Sequence, residues 1–454
     1  MPSGRLARRQ RRRRRRRGLC PVPAESDLSF LEITTMSTSE QDLISWKTDA
    51  WKDRNMVKWY SGRMVENTDA NRLKNAVEVE LCERFLLGRD VLDVGIGTGR
   101  ASLPLIAKGY ALSGTDSSQA MLDECLRLAA GQPITLRQGD VQQLPFDDQS
   151  FDSLISLNVM THFPHIEKVL AEWKRVVRPG GRLIFDIYSL DHLSFARGET
   201  VTVEDLLAQG NNAFNMHLSG ERLRSAADEV GLKVLGIVPY GSFICGEYPH
   251  PAFAMPLQAS AWWRRQLSWL ACDDALLEMA VFLEQHFFGC LSSIATGRFM
   301  VVLENSVDTA ANQTWLEQDQ AISQYLRDAR PIRLEALAPW LNLPPDEWRA
   351  AFDRHLGRMR NRGVAYALLS TFLGRLDAID WQDLSPRHGA LLNGWAMSEY
   401  WDRNVQSFTR NWHQREETRA FCDVDGVPLA SCLEYQLQRN LIALLSKPKS
   451  GDAV

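Results

Sequence analysis

The feature that most restricts how this chain can fold is a succession of short apolar runs, each followed by a segment of helical period. Asp90-Val91-Leu92-Asp93-Val94 reads as a strand and Ala101 to Lys108 as a helix stopped by Gly109. Ala111 to Asp116 reads as a second strand. Ser118 to Ala130 is then helical, with Met121, Leu122, Cys125, Leu126 and Ala129 on one face. Ile134 to Asp140 and Phe151 to Leu157 are further strands. Ile166 to Val177 is a helix carrying Val169, Leu170, Trp173 and Val176, and Pro179-Gly180-Gly181 turns it into a strand from Arg182 to Ile187. Alternation of this kind buries a parallel sheet between two layers of helices, joined by right-handed crossovers. In such doubly wound sheets a ligand sits beyond the carboxyl ends of the strands, where the strand order reverses. The turns after Asp93, Asp116, Asp140 and Leu157 are therefore expected to surround one crevice.

The flanks extend this pattern. A helix from Asn71 to Leu87 precedes the first strand. A less regular stretch, Ser189–His217, follows the fifth, and then come a helix from Ser219 to Val230 and a strand from Leu232 to Pro239. A tryptophan-rich insertion, Tyr240–Ala295, separates these from a last strand, Arg298 to Glu304. After Asn305 the character becomes helical and no strand alternation returns.

The first strand runs into Asp93-Val94-Gly95-Ile96-Gly97-Thr98-Gly99. Glycines let the backbone approach a ligand and adopt conformations that a Cβ forbids, and the following helix offers free N–H groups. A dinucleotide site places its third glycine one residue later, with a pyrophosphate over the helix start. Here Arg100 holds that place. The Asp93 carboxylate suits a ligand with donors, such as an ammonium or a ribose, and repels a pyrophosphate. Asp116 ends the second strand, where a carboxylate either accepts from two ribose hydroxyls or, with Ser117 and Ser118, caps the next helix.

These motifs, together with Gly139-Asp140-Val141 running on to Phe151-Asp152, Asn158-Val159-Met160-Thr161-His162-Phe163-Pro164 and Arg175-Val176-Val177-Arg178-Pro179-Gly180-Gly181, resemble the class I S-adenosylmethionine-dependent methyltransferases. They are most like the group that includes ubiquinone- and menaquinone-pathway enzymes. The resemblance covers roughly residues 45–305. It implies a Rossmann-like α/β fold with a mainly parallel seven-stranded sheet, in which Arg298 to Glu304 supplies an antiparallel strand. It implies S-adenosyl-L-methionine as cofactor. Gly95, Gly97 and Gly99 then wrap the methionine part with help from Asp93. Asp116, beside Ser117, takes the ribose, Asp140 and the Val141 backbone take the adenine, and Asn158 closes the site. No catalytic residue is common to the group. His162 and His165 follow the fourth strand and are the candidate bases, a role that imidazole suits at neutral pH. No metal site is expected.

Residues 189–217 and 240–295, with Trp46, Trp51, Trp59 and Tyr60, are the parts expected to set substrate choice. Trp262, Trp263 and Trp269 form an aromatic stripe that reads as core or as a lid. The domain reading is an arginine-rich tail over 1–40, a methyltransferase domain over 41–305 and a mostly helical accessory domain over 306–454. Ten arginines before Met36 give the tail a charge of about +7, and Met36 is an alternative start. The remainder is acidic by about 11 charges, so nucleic acid is not an expected partner. A short helix Leu334–Leu341 and a second one from Asp346, with Arg349, Arg354, Arg358 and Arg360, nonetheless resemble a winged helix-turn-helix in outline. That feeds the alternative function, a cofactor-binding regulatory or interaction protein whose C-terminal part binds nucleic acid or protein. Eight cysteines with no CxxC pair, no apolar run long enough to span a membrane and no secretory h-region give a cytoplasmic expectation, with a small-molecule substrate. Neither the substrate nor an oligomeric state follows from the sequence.

Overall fold

The structure is a computed structural model that describes residues 49, 51–65, 71–208, 215–240, 274–328 and 334–358. The arginine tract, Trp46, the Trp262, Trp263 and Trp269 stripe and everything after Arg358 lie outside the described residues, as does the Trp59 side chain.

Two helices, α1 (Arg54–Val65) and α2 (Asn71–Phe85), lead into β1 (Asp90–Val94). Next come α3 (Ser102–Ala107), β2 (Ala111–Asp116), α4 (Gln119–Ala129), β3 (Ile134–Gln138), β4 (Phe151–Ser156), α5 (Ile166–Val176) and β5 (Val177–Ser189). The strand order is β3-β2-β1-β4-β5-β8-β7, where β7 is Lys233–Pro239 and β8 is Arg298–Glu304. A two-residue strand, β6 (His217–Leu218), pairs with the end of β5 outside that path. β1 to β5 are parallel to one another, and β8 runs antiparallel between β5 and β7. This is the doubly wound sheet expected from the alternation. Its order reverses between β2 and β4, on either side of β1.

Burial explains the composition of the strands. Val91, Leu92 and Val94 of β1 and Leu154 and Ile155 of β4 are fully enclosed, as central parallel strands covered on both faces must be. On α5 the periodic residues Val169, Leu170, Trp173 and Val176 are all buried, and Trp173 meets Phe185 of β5 edge to face at 5.7 Å.

Two local features differ from the sequence reading. Pro179-Gly180-Gly181 does not separate helix from strand. β5 already begins at Val177, and the register with β4 shifts between Phe151 and Ser153 to absorb the extra residues. Asn305 clips this bulge: its carbonyl accepts from Gly180 N (2.8 Å), its N–H donates to Gly181 O (2.8 Å) and its amide donates to Val177 O (2.7 Å). The stretch 189–217 is not irregular where it is described. It forms α6 (Leu190–Arg197) and α7 (Val203–Ala208). Neither shows apolar periodicity. Both start on side-chain caps, Ser189 Oγ accepting from His192 N (3.0 Å) and Thr202 Oγ1 from Asp205 N (3.1 Å).

Beyond β8, α10 (Ala310–Asp328) packs on α8 (Gly220–Val230) and on β7, and α12 (Pro345–Arg358) packs on α9 (Asp274–His286). The short helix α11 (Leu334–Leu337) stops before the expected Leu341. In α12, Trp348 and Phe352 are fully buried, and Trp348 Nε1 donates to His286 O (3.0 Å). Arg349 pairs with Glu335 and Asp346, and Arg358 with Glu278. No helix among the described residues is long and apolar enough to cross a membrane.

Asn312 fastens α10 to the sheet. Buried, it accepts from Val234 N (2.7 Å) and donates to Leu232 O (3.0 Å) and to Asp228 (2.7 Å). Asn312→Ala strands two buried backbone groups, each worth roughly 1–3 kcal/mol. A loss of about 3 kcal/mol in urea denaturation is expected, with cofactor affinity unchanged; a loss below about 0.5 kcal/mol contradicts this account of the anchor.

Candidate active site

Where the strand order reverses, a cavity of about 370 Å³ opens at the carboxyl ends of the strands. Gly95 and Gly97 after β1, Asp116 and Ser117 at the end of β2, Val141 after β3 and Asn158 after β4 all face it. Trp51 and Tyr60, which meet edge to face at 5.4 Å, flank it from the α1 side. The expected crevice thus exists and gathers most of the residues singled out from the sequence.

The glycine turn has a specific geometry. Gly95 sits at φ 70° and Gly97 at φ 53°, both in the left-handed region. Gly95 N and Ile96 N donate to Thr115 O at 2.8 and 3.0 Å, which ties the turn to the neighbouring strand. A Cβ on Gly95 would fall 2.3 Å from Val159, whereas one on Gly97 would meet nothing nearer than Tyr60 at 3.9 Å. The bare Gly97 backbone therefore borders open space. Its N–H donates to Asp116 Oδ2 (2.9 Å), and Asp116 Oδ1 accepts from Ser118 N (2.9 Å). Capping of α4 falls to Ser118, whose hydroxyl accepts from Met121 N (3.3 Å). Asp116 thus joins two turns while remaining in the cavity wall. Burial pushes its carboxyl above the ordinary value, against the amides that donate to it.

Four residues lie elsewhere. Asp93 is buried behind the turn, where its Oδ2 accepts from Ser102 Oγ (2.7 Å). Burial raises it to about 7, opposed by Ser102 and Arg100 and reinforced by Asp116. Gly99 faces Cys125 and Leu103 inside the α/β layer. Asp140 is exposed and accepts from Gln142 N (2.8 Å) in its own turn, beside Val141 in the wall. His162 faces the cavity from the 3-10 turn Met160–His162, whereas His165 is exposed at the start of α5, outside the wall.

The other end of the cavity carries residues that sequence reasoning missed. Glu78 of α2 pairs with Arg100 in the protein interior, and Asp186 of β5 pairs with Arg298 of β8. The Tyr240 hydroxyl lies 2.8 Å from Glu78 Oε1 and 3.1 Å from Asp186 Oδ2, bridging the two pairs. Burial and both carboxylates push the Tyr240 phenol far up, so it keeps its proton. Burial works against ionisation of Glu78, but Arg100, Lys74 and Arg298 outweigh it and hold the carboxyl below its usual value. Arg298 also donates to Asn158 Oδ1 (2.6 Å) and lies over the Tyr188 ring at 4.2 Å. His217 stacks against that ring, with centroids 5.1 Å apart. The available signal was a charge inside an apolar strand: Asp186 within Leu-Ile-Phe-Asp-Ile, and Arg298 at the head of Phe-Met-Val-Val-Leu.

A model of a methyltransferase domain matches residues 92–185. The chain is similar to phosphatidylethanolamine N-methyltransferase of Cereibacter sphaeroides, with 34% identity over 145 residues that span 31% of this chain and 69% of that one. It is also similar to ubiquinone biosynthesis O-methyltransferase of Coxiella burnetii, with 26% identity over 44% of this chain and 88% of that one. Among solved structures, magnesium protoporphyrin IX methyltransferase from Synechocystis with bound SAH is 19% identical over 43% of this chain and 92% of that one, at a TM-score of 0.33.

The state of Asp93 makes a testable statement. Folded, it holds its proton to about pH 7; unfolded, it loses it near the ordinary 3.8. The folded state binds more protons in between, so the contribution of Asp93 to stability is present at low pH and is lost as pH rises through 7. The unfolding free energy of wild type minus that of Asp93→Asn should fall between about pH 4 and 7, by up to about 1.4 kcal/mol per unit, and flatten above. Urea titrations that find a pH-independent difference refute this.

Proposed function

The chain belongs to the class I S-adenosylmethionine-dependent methyltransferases, and we propose that it methylates a small molecule or biosynthetic intermediate bound at the Asn158 end of the cavity. That it is a methyltransferase using S-adenosylmethionine follows from the family. The substrate class is our reading, and the observation behind it is a cavity in which the proposed cofactor cradle and a polar pocket meet.

The residues present fit the cofactor. The Gly97 backbone, open on the cavity side, gives room for its methionine part, and Asp116, turned into the wall, retains a lone pair for a ribose hydroxyl beyond the backbone amides it accepts. Val141 supplies an apolar surface for the adenine. Asp140, exposed beside it, is the proposed acceptor for the adenine amino group. Asp93, Gly99 and Ser117 complete the proposed set, the first two by supporting the turn from behind.

The bound cofactor supplies a methyl group already activated on a sulfonium. What remains for the protein is positioning and, where the acceptor must lose a proton, a base. Tyr188, held between Arg298 and His217, gives the acceptor a fixed edge. His162, in the wall, is the proposed base; His165, outside it, is not. A regulatory DNA-binding reading is not favoured. Arg349 and Arg358 of α12 are engaged by carboxylates of this chain, and the Trp348 and Phe352 face of that helix is buried against α9.

Purified protein incubated with labelled S-adenosylmethionine and a low-molecular-weight cell extract should transfer label to a metabolite that gains about 14 daltons, the mass of one CH2. Label confined to protein or nucleic acid refutes the small-molecule reading. Asp116→Ala should weaken S-adenosylhomocysteine binding about thirtyfold by calorimetry, roughly 2 kcal/mol for lost charge-assisted hydrogen bonds. His162→Gln should lower kcat about a hundredfold with cofactor affinity retained, and His165→Gln should leave kcat within about twofold.

A further inference from the structure

We propose that the acceptor offers an oxygen, gripped by the side-chain amide of Asn158, and that Arg298 is the positioning residue that orients this amide. The proposal rests on the methyltransferase reading above and specifies the chemistry of its acceptor.

Asn158 lies two residues beyond β4 at φ 60°, a left-handed conformation that asparagine tolerates better than most residues. Its backbone N–H donates to Asp186 Oδ1 (2.5 Å), and its side-chain oxygen accepts from Arg298 (2.6 Å). A guanidinium has only donors, so the amide oxygen must be the atom that faces Arg298. The NH2 group is thereby turned the other way, on a residue that lines the cavity. No acceptor among the described residues takes its hydrogens. Arg298 is itself fixed by Asp186 on one side and the Tyr188 ring on the other.

The rest of this end agrees. Its two carboxylates, Glu78 and Asp186, are fully buried and matched inside the protein by Arg100, Arg298, Tyr240 and the Asn158 amide. Glu78 borders the cavity with its oxygens taken by Arg100 and Tyr240, and the groups beside it are donors: Asn158, Lys74 and Arg298. An amine nucleophile has one lone pair, which the methyl group needs, and its N–H groups would find no exposed carboxylate here. An oxygen has lone pairs to spare. One forms the new O–CH3 bond as the C–S bond breaks with its electrons staying on sulfur, and another accepts from Asn158. The hydroxyl proton passes to His162. A donor held on the oxygen also steadies the oxyanion as it forms.

The test uses the full-length protein saturated with S-adenosylhomocysteine and titrated with 4-nitrophenol, whose visible absorption reports its phenolate, with 4-nitrobenzylamine as control. Asn158→Asp keeps an acceptor for Arg298 but deletes both donors. It should weaken the phenolate about tenfold or more while calorimetric affinity for S-adenosylhomocysteine stays within about twofold. Arg298→Lys keeps the charge on Asp186 but loses the planar fork, and should weaken the phenolate with the cofactor product still bound. Any of four results overturns the proposal: no phenolate binding by wild type up to about 10 mM, preference for the amine, unchanged phenolate affinity in both variants, or parallel loss of S-adenosylhomocysteine, which would assign Asn158 to the cofactor. Wild-type protein that fails to bind S-adenosylhomocysteine instead refutes the earlier reading of the cradle.

Discussion

The pairing of Asp186 with Arg298 holds the site to the fold. One partner sits inside β5 and the other opens β8, so the contact spans the parallel and antiparallel parts of the sheet. Both are enclosed, and removing either partner of such a pair leaves an uncompensated charge at a cost of roughly 3–5 kcal/mol. Asp186 has further duties: it takes the Asn158 amide at the tip of β4 and one side of the Tyr240 hydroxyl at the end of β7. A single carboxylate therefore sets the relative positions of four strand ends. Through Tyr240 the same network reaches Glu78 and Arg100, next to the glycine turn.

That network explains why the two ends of the cavity differ in character. At the proposed cofactor end the protein presents backbone and one carboxylate, Asp116, whose oxygens also brace the turns on either side. At the proposed acceptor end the Glu78 and Asp186 carboxylates are taken up by Arg100, Arg298 and Tyr240, and donors stand beside them at the cavity. Buried ion pairs are weak sources of net stability, because desolvation offsets much of their attraction. Their retention here is better explained by what they orient than by what they stabilise.

The fold was legible because its constraint is periodic. Five apolar runs alternating with amphipathic helices leave little choice of sheet, and Gly95, Gly97 and Asp116 announce a ligand at its switch point by residue type alone. The 3-10 turn that brings His162 to the wall and leaves His165 outside was not legible, since the two histidines follow β4 only three residues apart. Nor were α6 and α7, which rest on the caps Ser189 and Thr202 rather than on an apolar stripe. Asp186 and Arg298 are 112 residues apart, and Glu78 and Tyr240 are 162 apart. Partners so distant are joined by β8 inserting between β5 and β7, and no local pattern encodes that insertion.

The insertion also accounts for one visible oddity of the sequence, the aspartate inside the apolar strand β5. An aspartate inside β5 would be destabilising if β5 were an edge to apolar neighbours alone, since an unmatched buried carboxylate neutralises itself rather than stay ionised. Arg298 enters on the adjacent strand, one turn of the pleat away from Met300, which lies opposite Asp186 in the register. Its reach across that step matches the charge and continues to Asn158. The same side chain that makes Asp186 tolerable in the core thereby turns the NH2 group of Asn158 away from itself, so the fold and the proposed acceptor contact draw on one guanidinium.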